Sequence, residues 1–310
     1  MTPILNKQDD DALLVQRGRR NAFVHDPSTL VRCGAYWYVF ATGEGIPSWR
    51  SRDGQTWEPT ARVFPDGFPK WVQEALPGHD RKFWAPDVIQ VGNRYLLYYS
   101  VSRWGVNTSV IGAVANKSLD PADAAYQWTD LGRVVASARS NNYNAIDPSV
   151  ARDARGGLWL AFGSFWAGIQ LVQLDPASGL RMSETAPVYP LAWNREIEAA
   201  CLYRRGRWHY LFVNWGLCCR GANSTYEIRM GRSERVTGPY RDKDGKDLLK
   251  GGGSLFLGTK GSFVGPGHAG VFDDNGKTFL SCHFYDKTRN GAPTLATCPL
   301  RFDKDGWPVA

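Results

Sequence analysis

Five residues able to carry charge or hold a metal ion recur along the chain at the head of the same short phrase. They are Asp26, Asp87, Asp147, Glu198 and His268. Each stands 8 to 11 residues before a strongly apolar run, and those runs begin at Tyr36, Tyr95, Leu158, Trp208 and Thr278. Four carboxyl groups brought round one point cannot all ionise cheaply, because like charges raise one another's pKa. A protonated carboxyl facing an ionised one is the equipment for cleaving a glycosidic bond. One group protonates the leaving oxygen; the other activates water or attacks the sugar. Glu198, with one more methylene than the aspartates, is the natural proton donor. An Asp-Pro pair such as Asp26-Pro27 or Asp147-Pro148 is also an ordinary turn opener, but four acids in repeat register ask for more than turns.

His268 takes the fifth position, within Gly265-Pro-Gly-His268-Ala-Gly, where glycines permit close backbone approach. It is a candidate ligand for an ion or a water, and one imidazole needs waters or carboxylates to complete a coordination shell. A second layer is aromatic and polar. Trp84 stands three residues before Asp87, Trp104 follows the second run and Phe165-Trp166 follow the third, and sugar rings stack on such faces. Asn144 and Ser164 are placed to bind hydroxyls.

These residues must be positioned by strands. The apolar runs are short, rich in Tyr, Trp, Val, Leu and Phe, and bounded by Gly, Asn or Asp. Successive runs begin 59, 63, 50 and 70 residues apart, which is room for one four-stranded antiparallel sheet with its loops. That spacing describes a propeller blade. Five phrases predict an all-β, five-bladed β-propeller in a single domain over residues 21–310, with residues 1–20 as an extension closing onto it. In such an array the inner strand of each blade lines a central channel, and the five opening residues gather at one mouth. A slip of one residue in any copy would aim its side chain elsewhere. Helical periodicity is weak throughout; residues 5–17 and 119–126 are the best candidates.

Composition narrows the class. The chain of 310 residues is 43% hydrophobic, enough for a packed core rather than a disordered chain. No run approaches the roughly 20 apolar residues that span a bilayer, so no membrane partner is expected. The formal net charge is +7, yet Arg and Lys are scattered over loops, and nucleic acid is not an expected partner. The six cysteines show no zinc spacing. Adjacent Cys218 and Cys219 cannot form an unstrained bridge, so free thiols are expected. The polar N-terminus has no apolar signal-peptide centre.

The chain resembles glycoside hydrolase family 43, and within it the arabinanases that cut α-1,5-linked arabinan. His25-Asp26-Pro-Ser, Trp84-Ala-Pro-Asp87, Tyr99-Ser-Val-Ser102 and Asn144-Ala-Ile-Asp147-Pro carry the likeness. Gly163-Ser-Phe-Trp166, Ile197-Glu198-Ala, Cys218-Cys-Arg-Gly-Ala-Asn-Ser-Thr-Tyr226 and Gly265-Pro-Gly-His268 continue it in family order. The likeness runs from Val24 to the final Asp305-Gly-Trp-Pro. It implies a five-bladed propeller and an inverting mechanism, with Asp26 matching the general base and Glu198 the general acid. Asp147 matches the carboxylate that orients the acid and tunes its pKa. His268 matches the histidine near a central ion, often calcium held largely through water, and no organic cofactor is implied. Asp87 matches a motif without a catalytic step. Many arabinanases have Pro where this chain has Ala200, which bears on local strand geometry and leaves the Glu in place. The expected partner is arabinan or its oligosaccharides, acted on by a secreted monomer whose signal is not in this sequence. Endo cleavage is favoured because no long insertion reads as a groove-blocking loop. An exo-acting arabinofuranosidase, a xylosidase and a non-catalytic carbohydrate-binding propeller are the competing readings.

Overall fold

The computed structural model describes residues 22–309, and they form a five-bladed β-propeller. Every blade is an antiparallel meander laid down in chain order. Blade one comprises Val31–Cys33, Tyr36–Phe40, Ser48–Ser51 and Glu58–Thr60. Blade two comprises Lys82–Val91, Arg94–Val101, Ser109–Asn116 and Thr129–Ser137, with the short strand Gly43–Glu44 pairing beside its innermost one. Blade three runs through Ser149–Arg152, Leu158–Phe162, Ile169–Leu174 and Tyr189–Ala192. Blade four runs through Ile197–Arg205, Trp208–Trp215, Glu227–Ser233 and Ser254–Leu257. Blade five has Phe263–Asp274, Lys277–Asp286 and Ala292–Pro299 from the C-terminal part of the chain. Phe23 then pairs with Thr294, and the Leu295 amide donates to the Ala22 carbonyl at 3.2 Å. The start of the described chain thus ties its last blade to its first.

The apolar runs are hydrophobic at nearly every position because each blade is covered on both faces. In Tyr36–Phe40, Tyr38 and Phe40 face blade two and pack with Phe83, Leu97 and Tyr99. Trp37 and Val39, pointing the other way, pack with Phe272 and Leu295 of blade five. The same alternation fills the remaining three interfaces, so five hydrophobic layers rather than one central core hold the ring together.

The helix expected over 119–126 does not form. Ser118, Asp120 and Asp123 each accept the amide two residues on, at 2.9–3.2 Å, and these local turns take the backbone groups a helix would need. The one α-helix among the described residues is Lys70–Ala75, which buries Val72 in the layer between blades one and two. The segment 5–17 and the extension 1–20 lie outside the described residues. No described helix is long and apolar enough to cross a membrane.

Candidate active site

The backbone fixes the register of the five blades. Asp26, Ala85, Asp147, Ala199 and His268 all have positive φ, between 42° and 57°, a conformation uncommon for residues other than glycine. Each lies in the inner strand or just ahead of it. In four of the five, a side chain from the second strand of the preceding blade, or from just past it, holds the amide. Thr42 Oγ1 accepts from Ala85 at 2.8 Å and Ser100 Oγ from Asp147 at 2.9 Å. Asn214 Oδ1 accepts from His268 at 2.9 Å and His283 Nδ1 from Asp26 at 3.1 Å. For Ala199 the acceptor is Asp147 Oδ2 itself, at 3.1 Å.

This ring corrects the expected equivalence of the five openers. Asp26, Asp147 and His268 share one structural position, but Ala85 and Ala199 fill it in blades two and four. Register shifts follow Trp84 and Glu198, as they do around His268, which keeps the shared position. Glu198 stands one residue ahead of the shared position, in the place of His25 and Trp84. Asp87 stands two beyond it, in the place of Ser28 and Ser149. There it is buried, and its carboxylate accepts the Thr29 amide at 2.9 Å and the Val150 amide at 2.8 Å. Asp87 thereby ties blades one and three across blade two. Burial raises its pKa against the pull of those amides.

The remaining carboxyls meet at the channel mouth in unlike surroundings. Asp26 Oδ2 lies 2.8 Å from His25 Nδ1 and accepts from Thr42 Oγ1 at 2.7 Å; Asp26 Oδ1 lies 3.5 Å from His268 Nδ1. Burial pushes this carboxyl up, but the imidazoles of His25 and His268 overcome it and hold Asp26 well below its usual range. Burial disfavours charge on His25 too, yet Asp26 and Cys219 raise it to about 10. Glu198 is pushed the other way. Burial and the neighbouring Asp147 charge lift it to about 8, against a hydrogen bond from Tyr226 Oη to Glu198 Oε1. Asp147 rises to about 6, chiefly through burial, with His268 opposing and Asp26 adding to the shift. Near neutral pH the site therefore holds one firmly ionised carboxylate and one protonated carboxyl, which is the division of labour that acid–base chemistry requires.

Two adjoining cavities of about 530 and 450 Å³ share Trp84, Trp104, Ile146 and Glu198, so Glu198 lies between the halves of one groove. Trp104 is 75% exposed and stands edge-on to Trp84 with ring centroids 6.2 Å apart. Phe165 and Trp166 line the larger half from a loop fixed by the Phe165 amide, which donates to the Ile197 carbonyl at 2.7 Å. Asn144 and Ser164 line that half as well, but both are buried and bonded to each other at 3.2 Å. They present little surface and brace the groove from behind.

Several site residues had no role assigned from sequence. His25 follows from the corrected register, as the blade-one counterpart of Glu198. Tyr285 Oη lies 2.8 Å from His25 Nε2 and accepts the Cys219 amide at 2.7 Å. Tyr226 reaches Glu198 because Gly267 leaves room for its ring; a Cβ there would come within 2.4 Å of Tyr226 Cδ2. All six cysteines are free thiols. Cys218 Sγ lies 3.6 Å from Glu198 Oε1, and Cys219 Sγ lies 3.7 Å from His25 Nε2.

The surroundings of His268 allow a test of the expected ion. Asp26, Asp147 and Asp87 all act on its imidazole electrostatically. Both oxygens of Asp87 are occupied by backbone amides, one of Asp147 is, and Asp26 is engaged by Thr42 and His25. These residues do not offer a calcium cage of protein oxygens, and among the described residues the side chains whose ligand atoms lie close enough to share an ion are His25, Asp26 and His283.

With this geometry in view, comparison with known proteins is direct. The family model described as "Glycosyl hydrolases family 43" matches residues 20–308. An extracellular exo-α-(1→5)-L-arabinofuranosidase of Cellvibrio japonicus is 39% identical, the match covering 94% of this chain and 87% of the relative. An extracellular endo-α-(1→5)-L-arabinanase of Bacillus subtilis is 38% identical, covering 94% and 88%. The solved structure of a Cellvibrio cellulosa α-L-arabinanase complexed with arabinohexaose superposes with a TM-score of 0.88 at 39% identity, covering 94% of this chain and 96% of that one. The blade count, the paired carboxyls and these matches agree, and the chain is a member of glycoside hydrolase family 43, its relatives arabinan-cleaving enzymes.

Proposed function

We propose that the protein hydrolyses α-1,5-L-arabinofuranosidic bonds within arabinan, by an inverting mechanism and outside the cell. The observation that carries this reading is the opposite displacement of Asp26 and Glu198, one far below its usual pKa and the other raised to about 8. With the scissile bond lying over Glu198, ionised Asp26 takes a proton from a water on one face of the sugar. That water's oxygen bonds to the anomeric carbon as the glycosidic bond breaks. Glu198 gives its proton to the departing oxygen, and the two carboxyls then exchange the proton with solvent. Asp147 does not contact the reacting atoms in this scheme. Its charge keeps Glu198 protonated, and its bond to the Ala199 amide fixes the backbone from which Glu198 projects. An ion at His268, calcium by the family resemblance, would be held by that imidazole and by water, and would add positive charge to the surroundings of Asp26 and Asp147.

Cleavage within the chain is favoured because the groove continues on both sides of Glu198. An exo-acting enzyme is the second reading, supported by the exo-acting Cellvibrio japonicus relative and by a solved exo-1,5-α-L-arabinanase at 41% identity and a TM-score of 0.89. The extracellular relatives support secretion. A time course on linear α-1,5-arabinan tests the reading. A ladder of oligosaccharides at early times is expected. One small product from the first minutes means exo action, and binding without new reducing ends means a carbohydrate-binding propeller.

A further inference from the structure

The fold places on the side of blade four away from the groove a set of cations from residues 232–243, between tryptophans that come from distant parts of the sequence. Ile197–Arg205 and Trp208–Trp215 are antiparallel, with Glu198 opposite Asn214 at one end and Arg205 opposite Trp208 at the other. Trp208 is six residues from Asn214, or about 20 Å along an antiparallel strand. At that far end a cavity of about 500 Å³ is lined by Trp208, Arg232, Arg235, Arg241, Lys243 and Trp307, among others.

Among the described residues none of these four cations pairs with a carboxylate. The Arg232 guanidinium lies between Trp208 and Trp307, 4.2 and 4.0 Å from the ring centroids, and donates to the Asp305 carbonyl at 2.7 Å. Arg235 donates to the Gly238 carbonyl at 3.1 Å and Arg241 to the Gly245 carbonyl at 2.9 Å. Both acids in the lining are already engaged. Glu234 faces Arg207 at 3.6 Å. The Asp242 carboxylate accepts the amides of Asp244, Lys246 and Gly253 at 3.1, 2.8 and 2.8 Å. With four cations against two acids the lining is net positive, and the stacked Arg232 is held in place before any ligand arrives. Pre-ordered guanidinium forks match planar carboxylates.

We infer that this cavity is a second carbohydrate site, which takes a carboxylate-bearing polysaccharide, a chain of uronic acid residues, and anchors the enzyme to an acidic polymer while the groove works on neutral arabinan. The inference rests on the arabinan reading for its biological sense, but binding at this cavity can be measured without hydrolysis.

The probe is a defined oligogalacturonate, titrated into the whole protein with tryptophan fluorescence or calorimetry as the readout. Binding is expected at low salt, with a loss of about tenfold or more in affinity between 20 and 200 mM salt. The triple variant Arg235→Gln/Arg241→Gln/Lys243→Gln changes exposed side chains only and should weaken binding by about tenfold or more. Its kcat/KM on arabinohexaose should match that of the unmodified protein. Unchanged oligogalacturonate affinity in that variant would overturn the inference. So would equally tight binding of polyphosphate, which would make the cavity a general polyanion patch. If oligogalacturonate binds as expected but arabinan is not hydrolysed, the arabinan reading fails and the second site stands.

Discussion

The Ala199 amide donates to Asp147 Oδ2 at 3.1 Å, so the carboxylate nearest Glu198 in charge is fastened to the residue that follows Glu198 in the chain. The positions of Asp147 and Glu198 are therefore linked through one hydrogen bond to the backbone. Tyr226 reaches Glu198 from the other side with a hydroxyl that favours the ionised form. These two neighbours pull the acid's pKa in opposite directions, and the pH dependence of turnover can separate them.

Replacing Asp147 by Asn removes the charge that opposes ionisation of Glu198, so the basic limb of the kcat profile should move to lower pH. Tyr226→Phe removes a donor to the carboxylate, so that limb should move to higher pH. Each should also lower kcat, by about tenfold or more for Asp147→Asn. Profiles of kcat from pH 4 to 10 check both directions, and equal shifts of the same sign would break the link.

The contributions of Glu198 and His25 to stability should fall as pH rises. Glu198 titrates near 4.5 when unfolded and near 8 when folded, so its contribution is fully present below 4.5 and lost as pH climbs to 8. His25, raised from 6.5 to about 10, contributes fully below 6.5 and loses that contribution by 10. Asp26, depressed when folded, contributes above 3.8 and acts only at the acid end. Glu198→Gln abolishes the first of these terms. Its melting temperature should exceed that of the unmodified protein by about 3–6 °C at pH 8 and by much less at pH 4.5.

Cys219 offers a chemical probe of the groove. Burial raises its pKa, but Cys218 outweighs burial, and with His25 brings the thiol down to about 5. Cys218, Cys201, Cys282 and Cys298 are all pushed upward. Iodoacetamide at pH 7 should label Cys219 before any of these four, as peptide mass mapping would show, and inactivate the enzyme as it does. Arabino-oligosaccharide should slow the inactivation, and Cys219→Ser should be resistant to it.

The proposed ion can be tested apart from activity. Chelator treatment should lower the melting temperature by a few degrees and calcium should restore it. In His268→Ala the melting temperature should be insensitive to both. A shift of equal size in that variant would place the ion elsewhere.

Architecture was legible in the sequence because blades covered on both faces leave unbroken apolar runs such as Tyr95-Leu-Leu-Tyr-Tyr, and five runs count five blades. The site was legible at Asp26, Asp147, Glu198 and His268, which the fold does bring to one mouth. Register was harder to read, since the shared position stands 9 to 11 residues before its run and an acid one or two residues away counts nearly as well. Pro86 held the clue. It follows Ala85 as Pro27 follows Asp26 and Pro148 follows Asp147, and aligning the three prolines puts Ala85, not Asp87, at the mouth. With that alignment Asp87 becomes the tie between Thr29 and Val150. Tyr285 and His283 left no such trace, because they follow the apolar run on the second strand of blade five, and Tyr226 stood in a quoted motif without a role. The basic cavity was invisible too, since Trp307 meets Arg232 only through the fold.

The most direct test of the central assignment is the turnover of Glu198→Ala on linear α-1,5-arabinan, with circular dichroism to show that the propeller is intact. A folded variant slower by about a thousandfold or more is expected, since the leaving oxygen has lost its proton donor. A folded variant with near-normal turnover would contradict the assignment of Glu198 as the acid.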